Sequence, residues 1–239
     1  MCMKKGGGQV ERFVAWIQQL RLDAVWSVIM VVLASLVCII FHETSHGRVA
    51  GWLGDPTAKQ QGRLSWNPLK HIDVFGLVMM AIFHFGWAKA VPVNPQNFKH
   101  PKWDMAITAL AGPVSNVILA FVVLLIRSVL YFFYLRSPNG VLEWVIELTE
   151  YIILLSVGLA VFNIIPISPL DGSKVLCAFL PDNAYVFVMR YERWGMLILM
   201  ALLFTGILDT PLTFLRTGLL NGLQAVTWFP FTLLSRFIG

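Results

Sequence analysis

Charge is scarce in this chain of 239 residues: Asp, Glu, Lys and Arg make up 13% of it, about half of what a soluble globular domain carries, and 57% is hydrophobic. The apolar residues gather into long blocks, which excludes an ordinary soluble domain and implies an integral membrane protein. Cysteine is scarcer still. Cys2, Cys38 and Cys177 lack zinc-ribbon spacing, and Cys38 and Cys177 lie in apolar surroundings where thiols behave as small hydrophobes, so no disulfide framework is expected. Internal repeats, long low-complexity segments and an appended peptide-binding module are also missing, and the length accommodates one compact bundle. The formal charge of +5 is modest. Its basic residues flank apolar segments, as membrane orientation requires, and no nucleic-acid partner is implied. Met1 to Gly8 is basic and glycine-rich, and Val10 to Leu22 interleaves apolar and polar residues. That pattern predicts an interfacial helix without the apolar core of a cleavable signal.

The remaining blocks predict an all-α membrane protein, a polytopic helical bundle. A first apolar segment runs from about Val25 to about Trp52 and is ended by Gly51 and Gly54-Asp55-Pro56. Residues 55 to 73 form a polar, basic connection with turn signals at Gly62 and Asn67-Pro68. Val74 to Ala88 is apolar, yet falls short of the roughly 20 residues that a helix needs to span a bilayer. A partly inserted or re-entrant segment is preferred there over a short span, because it returns Lys89, Lys99 and Lys102 to the side of Lys59 and Lys70. Ala106 to Leu135 is long enough to cross, and Ser137-Pro138-Asn139-Gly140 is a turn. Glu143, Glu147 and Glu150 then form an acidic stripe read as a solvated helix end, before the apolar block Tyr151 to Leu170. Met196 to Leu208, extended back through Trp194, predicts a fifth span. Thr213 to Phe231 reads either as a final span or as an interfacial helix.

Chemistry concentrates where the first span ends, in Phe41-His42-Glu43-Thr44-Ser45-His46. Imidazoles four residues apart on a helix are separated by about 40° around its axis, so both can ligate one ion, and the carboxylate beside the first can activate water. Trp26 to Phe41 holds no charged residue, which places this polar trio in lipid, where desolvation costs several kcal/mol unless a metal or another partner compensates. A catalytic zinc takes three protein ligands and an open position. Asp171 supplies the third, because Pro166 and Pro169 unwind the backbone just where it occurs. The competing role for Asp171 is an N-cap of the helix that follows. Cys38 shares the face of His42, with simple packing preferred over ligation. His84 is either a histidine bonded within the bundle or a further metal neighbour. Asn116, an amide in hydrocarbon, needs a partner on another helix or on substrate, and the residues alone leave both roles open.

From Phe41 to about Pro181 the chain resembles the site-2 protease family of intramembrane zinc metalloproteases, in particular its short bacterial members without a PDZ domain. The resemblance rests on His42-Glu43-x-x-His46, Gly54-Asp55-Pro56-Thr57-Ala58, Gly62-Arg63-Leu64, Asn67-Pro68-x-x-His71-Ile72-Asp73, Gly86-Trp87-Ala88-Lys89 with Val91-Pro92-Val93-Asn94, Ala111-Gly112-Pro113-x-x-Asn116 and Asn163-x-x-Pro166-x-x-x-Leu170-Asp171-Gly172. Ala90 stands where small members often have proline. The resemblance implies a three-helix catalytic core, zinc held by His42, His46 and Asp171, Glu43 as general base, and Asn116 and Asn163 positioning the substrate or its developing oxyanion.

The expected organisation is an interfacial segment over 1–22, a catalytic membrane core over 23–181 and C-terminal membrane helices over 182–239. The expected activity is zinc-dependent hydrolysis of peptide bonds in or near transmembrane segments of membrane proteins or signal-peptide remnants. Residues 47 to 105 carry seven basic side chains, whereas 136 to 150 carries Arg136 against three glutamates, which places the zinc-bearing end towards the cytoplasm of a bacterial membrane. Lys4, Lys5, Arg12 and Arg21 pull the other way for the N-terminus. The rival readings are a membrane zinc-binding or transport protein and a catalytically silent homologue that binds a membrane partner. The intact Glu43 counts against the silent one.

Overall fold

A computed structural model describes residues 7–73, 89–190 and 192–237. Helices α1 (Gly7–Trp52), α3 (Pro101–Arg136) and α4 (Gly140–Asn163) form the bundle, and the short α2 (Thr57–Gln60) lies between the first two. They are followed by α5 (Asp171–Phe179), α6 (Asp182–Arg190), α7 (Glu192–Phe204), α8 (Asp209–Thr227) and α9 (Phe229–Phe237). The described residues contain no strand, and Val25–Trp52, Pro101–Arg136 and Gly140–Asn163 are long and apolar enough to cross a bilayer. This is an all-α membrane protein.

Ala34 and Cys38 of α1, Leu119, Val123 and Leu124 of α3, and Ile152 and Ile153 of α4 form one buried cluster. Outward-facing residues on the same helices, among them Val28, Val32, Ile118 and Ile126, stay exposed, as lipid-facing positions do. Cys38 sits in the seam, its Sγ 3.1 Å from Ser156 Oγ and 3.5 Å from the Ile152 carbonyl oxygen that accepts from it. It packs against α4, as its apolar surroundings imply.

Several element boundaries differ from the sequence pattern. No break separates an interfacial helix from the first span: α1 runs unbroken from Gly7, because residues 9–24 hold neither glycine nor proline to stop it. Its end is a Schellman cap. Gly54 takes a φ of +110°, the Gly54 N–H donates to the Gly51 carbonyl at 3.3 Å, and the Asp55 N–H donates to the Ala50 carbonyl at 2.9 Å. Helix α3 starts at Pro101, earlier than its apolar run, since proline suits a first turn and the Asp104 carboxylate accepts the His100 N–H at 2.9 Å. The acidic stripe is partly bonded rather than simply solvated: Glu147 accepts the Trp26 indole N–H at 3.2 Å, and Glu150 pairs with Arg127 at 3.0 Å. The expected fifth span is only 13 residues long as α7. Gly206, with φ +69°, lies in the break after it, and the chain turns by 87° into α8.

The region expected to re-enter, 74–88, and His84 within it lie outside the described residues. Its flanks are described, and they meet: the Lys89 N–H donates to the His71 carbonyl at 2.9 Å. Beyond them Asp55 gathers the loop. Fully buried, its carboxylate accepts the Thr57 N–H at 3.1 Å, the Thr57 hydroxyl, the Asn97 side-chain amide at 2.6 Å and the Asn94 N–H at 2.7 Å. Burial acts to raise its pKa, and the bonds from Thr57, Asn97 and Asn94 outweigh burial and hold it below the ordinary value of 3.8.

A carboxyl depressed in the folded state contributes stability that is present above its unfolded pKa and lost as pH falls through its folded one. Asp55→Ala should therefore loosen the 53–60 and 90–99 segments at neutral pH by about 2–3 kcal/mol, the scale of charge-assisted bonds in a buried site. Hydrogen–deuterium exchange reads this directly, and unchanged uptake in both segments would contradict it. The wild-type protein should hold the same protection across neutral pH and begin to lose it only below pH 4.

Candidate metal centre

Helical spacing brings the two imidazoles of α1 onto one face, with ring centroids 4.6 Å apart. The third group arrives from beyond the end of α4. After Asn163 the chain leaves α4 and runs irregularly through Pro166 and Pro169, then starts α5 at Asp171. Gly172 makes this approach possible: a Cβ there would stand 2.1 Å from the Ile164 carbonyl oxygen. Leu170 occupies the N-cap position and Asp171 lies inside the first turn, so the capping alternative for Asp171 falls away. The first turn also puts its carboxylate at the positive end of the helix dipole.

Asp171 Oδ2 lies 3.1 Å from His42 Nε2 and 3.3 Å from His46 Nε2, with all three side chains buried. Their donor atoms fall within 4.8 Å of one another. The other ring nitrogen of each histidine faces α3: His46 Nδ1 stands 2.7 Å from the Thr108 carbonyl oxygen, and His42 Nδ1 stands 3.2 Å from the Asn116 amide nitrogen. Lys174 Nζ is 3.9 Å from the second Asp171 oxygen. Gly112 clears the space between α3 and the imidazoles, since a Cβ on it would stand 2.4 Å from His46 Nε2 and 2.5 Å from His42 Cε1.

Glu43 is half-buried beside the cluster, and its Oε2 accepts the Val91 N–H at 2.8 Å. That backbone is fixed in turn by Arg63, which donates to the Lys89 and Ala90 carbonyls at 2.7 and 3.1 Å. Asn116 is fully buried. Asn163 is half-buried at the end of α4, and its amide donates to the Leu159 carbonyl of its own helix at 3.0 Å. The structure thus brings His42, His46, Asp171 and Asn116 into direct contact and sets Glu43 alongside.

Three features escaped the sequence. Thr108 and Val91 act through backbone atoms, which leave no side-chain signature. Gly112 belongs to the small-residue run read as close helix packing, and the close approach it permits is to the imidazoles.

Fold and donor set together define an all-α membrane protein with a buried cluster of two histidines and a carboxylate placed to hold a metal ion. The comparisons with known proteins agree. The chain is 33% identical over 174 residues to YwhC of Bacillus subtilis, covering 73% of this chain and 80% of the relative. It is 28% identical over 186 residues to Rip2 of Mycolicibacterium smegmatis, covering 76% and 69%. It is 31% identical over 153 residues to MJ0611 of Methanocaldococcus jannaschii, covering 62% and 71%. All three carry the provisional name of zinc metalloprotease. No family model matches the chain, and no solved structure matches it. The chain belongs to the site-2 protease family of zinc metalloproteases.

Zinc is the metal this family implies, and the donor set fits it. Tetrahedral zinc with ligand bonds of about 2.0–2.2 Å holds its donors about 3.3–3.6 Å apart, and the separations of 3.1 and 3.3 Å between the histidine nitrogens and Asp171 Oδ2 lie near the short end of that range. Two neutral imidazoles and one carboxylate also match the ligand types of a catalytic zinc site.

Gly112→Ala should weaken zinc binding by about tenfold or more, since a shift of either imidazole spoils ligand geometry. The bundle itself should keep its helicity. Metal analysis after dialysis against a graded chelator measures the effect, and wild-type zinc retention would show that the imidazoles do not need this space.

Proposed function

We propose that the protein is an intramembrane endopeptidase that cuts transmembrane segments of membrane proteins or signal-peptide remnants, with zinc held by His42, His46 and Asp171 and Glu43 as general base. The observation that carries this reading is the position of the cluster. His42 and His46 lie within the span Val25–Trp52, and the third donor is delivered to them by an irregular stretch between α4 and α5. Irregular backbone at membrane depth is tolerated where it lines a site.

Bound zinc supplies a Lewis acid that acidifies water and polarises the scissile carbonyl. The protein does the rest. Glu43 takes a proton from the attacking water and delivers it to the leaving amine as the peptide bond breaks. Its Oε2 is anchored by the Val91 N–H, so the carboxylate is oriented before substrate arrives. Asn163 stands where the chain turns into the Asp171 segment, and in this reading its amide exchanges the Leu159 carbonyl for a substrate carbonyl. A helical substrate must unwind before its carbonyl is accessible, and in this reading the Val91-Pro92-Val93-Asn94 segment, whose Val91 N–H is bonded to Glu43, holds the unwound strand rather than serving only as a connecting loop.

The organisation that accompanies this reading is a catalytic core over 23–181 with C-terminal helices over 182–239, and a site on the cytoplasmic side of a bacterial membrane. The hydrogen bond from Lys89 to His71 sets the described flanks side by side, which supports placing the segments around 60 and 98 on one side of the membrane. Single cysteines at 60 and 98 should therefore label from the same side of sealed vesicles, and opposite accessibility would refute the topology.

Glu43→Gln should keep zinc and bind substrate but cleave about 10² to 10⁴ times more slowly, the share general-base catalysis supplies. Purified enzyme in proteoliposomes with a single-span substrate tests it. Cleavage by the variant at the wild-type rate would overturn the mechanism. Zinc uptake into the vesicles unaffected by the substitution, without cleavage by either protein, would favour a transporter.

A further inference from the structure

Each ligand histidine has two ring nitrogens, and only one can hold the metal. For both rings it is Nε2 that turns to Asp171 Oδ2, at 3.1 and 3.3 Å. A neutral imidazole that ligates through Nε2 carries its proton on Nδ1 and must donate it, because a buried N–H without an acceptor costs about 1–3 kcal/mol. His46 meets this demand with the Thr108 carbonyl oxygen, 2.7 Å from its Nδ1. Among the described residues Nδ1 of His42 meets only Asn116, whose amide nitrogen stands 3.2 Å away. Two N–H donors cannot satisfy each other. Meanwhile the Asn116 amide oxygen is buried without a partner among the described residues. Turning this amide over by 180° exchanges two atoms of nearly equal size: the oxygen then accepts the Nδ1 proton, and the amide nitrogen takes the place where the oxygen had no partner.

We propose that Asn116 is the positioning residue of His42: its amide oxygen accepts the Nδ1 proton, fixing the ring's tautomer and orientation for zinc, and α3 thereby orients both imidazoles of α1. This differs from a role on substrate. Asn116 has no exposed surface, and its amide is spent on the ligand. The inference rests on the assignment of His42 as a zinc ligand.

Zinc affinity of the full-length protein, measured by chelator competition in detergent, separates these roles without any substrate. Asn116→Ala should weaken zinc by about 10- to 100-fold, the usual effect of removing a partner of a ligand histidine. Asn116→Asp keeps the acceptor and removes the amide donor, so it should bind zinc within about threefold of wild type or more tightly. Cobalt substitution adds a spectroscopic reading: wild type and Asn116→Asp should share one visible spectrum, and Asn116→Ala should differ. Wild-type affinity in Asn116→Ala would overturn the proposal. So would an Asn116→Asp loss as large as that of alanine, and if the alanine variant does not fold, the aspartate variant decides alone. His42→Ala is the reference. If it leaves zinc affinity unchanged, the ligand assignment falls as well; if it weakens zinc while Asn116→Ala does not, only the present inference falls.

Discussion

The structure depends on how two imidazoles and a carboxylate are kept inside an apolar bundle. Each would cost several kcal/mol if buried without a partner. His42, His46 and Asp171 converge on one point, so a single cation would compensate all three, and each histidine turns its second nitrogen to α3. Much of the local architecture follows from that convergence. Gly112 is glycine because α3 must come close to the imidazoles, and Gly172 is glycine because α5 must start against the Ile164 carbonyl. The prolines at 166 and 169 break the helix that would otherwise carry Asp171 past the site.

A second layer of polar contacts ties the membrane-surface loop to the same place. Asp55 binds the residues that follow α1 to Asn94 and Asn97, and Arg63 holds the carbonyls just before Val91. Val91 in turn donates to Glu43. The loop therefore ends its chain of hydrogen bonds on the carboxylate beside the metal ligands. Damage to Asp55 or Arg63 would be felt at Glu43 through backbone position, with no direct contact to the metal.

Much of the site was legible in the sequence because it rests on fixed spacings. Two histidines four apart on a helix share a face whatever surrounds them, and an aspartate after paired prolines marks a non-helical stretch in an apolar block. The first two long spans were equally readable, since a run of about 20 apolar residues has few alternatives, whereas the third runs Gly140–Asn163 and takes in the acidic stripe that precedes the block read from Tyr151. Other features were hidden for identifiable reasons. Thr108 contributes a backbone carbonyl, which every residue has, and Val91 a backbone N–H, which every residue but proline has. Asn116 was visibly in need of a partner, but which helix offered it is a tertiary fact. The unbroken start of α1 and the bend after α7 depend on Gly and Pro placement weighed against packing, so hydropathy alone put their boundaries elsewhere.

The central claim is that one zinc is held by two imidazoles and a carboxylate in the bundle, with no thiolate, although Cys38 lies one helical turn from His42. X-ray absorption at the zinc edge of the purified protein tests it most directly. A shell of nitrogen and oxygen neighbours at about 2.0–2.2 Å, with the outer scattering of two imidazoles, is the predicted result. A sulfur neighbour at about 2.3 Å, or scattering from a different number of imidazoles, would contradict the account.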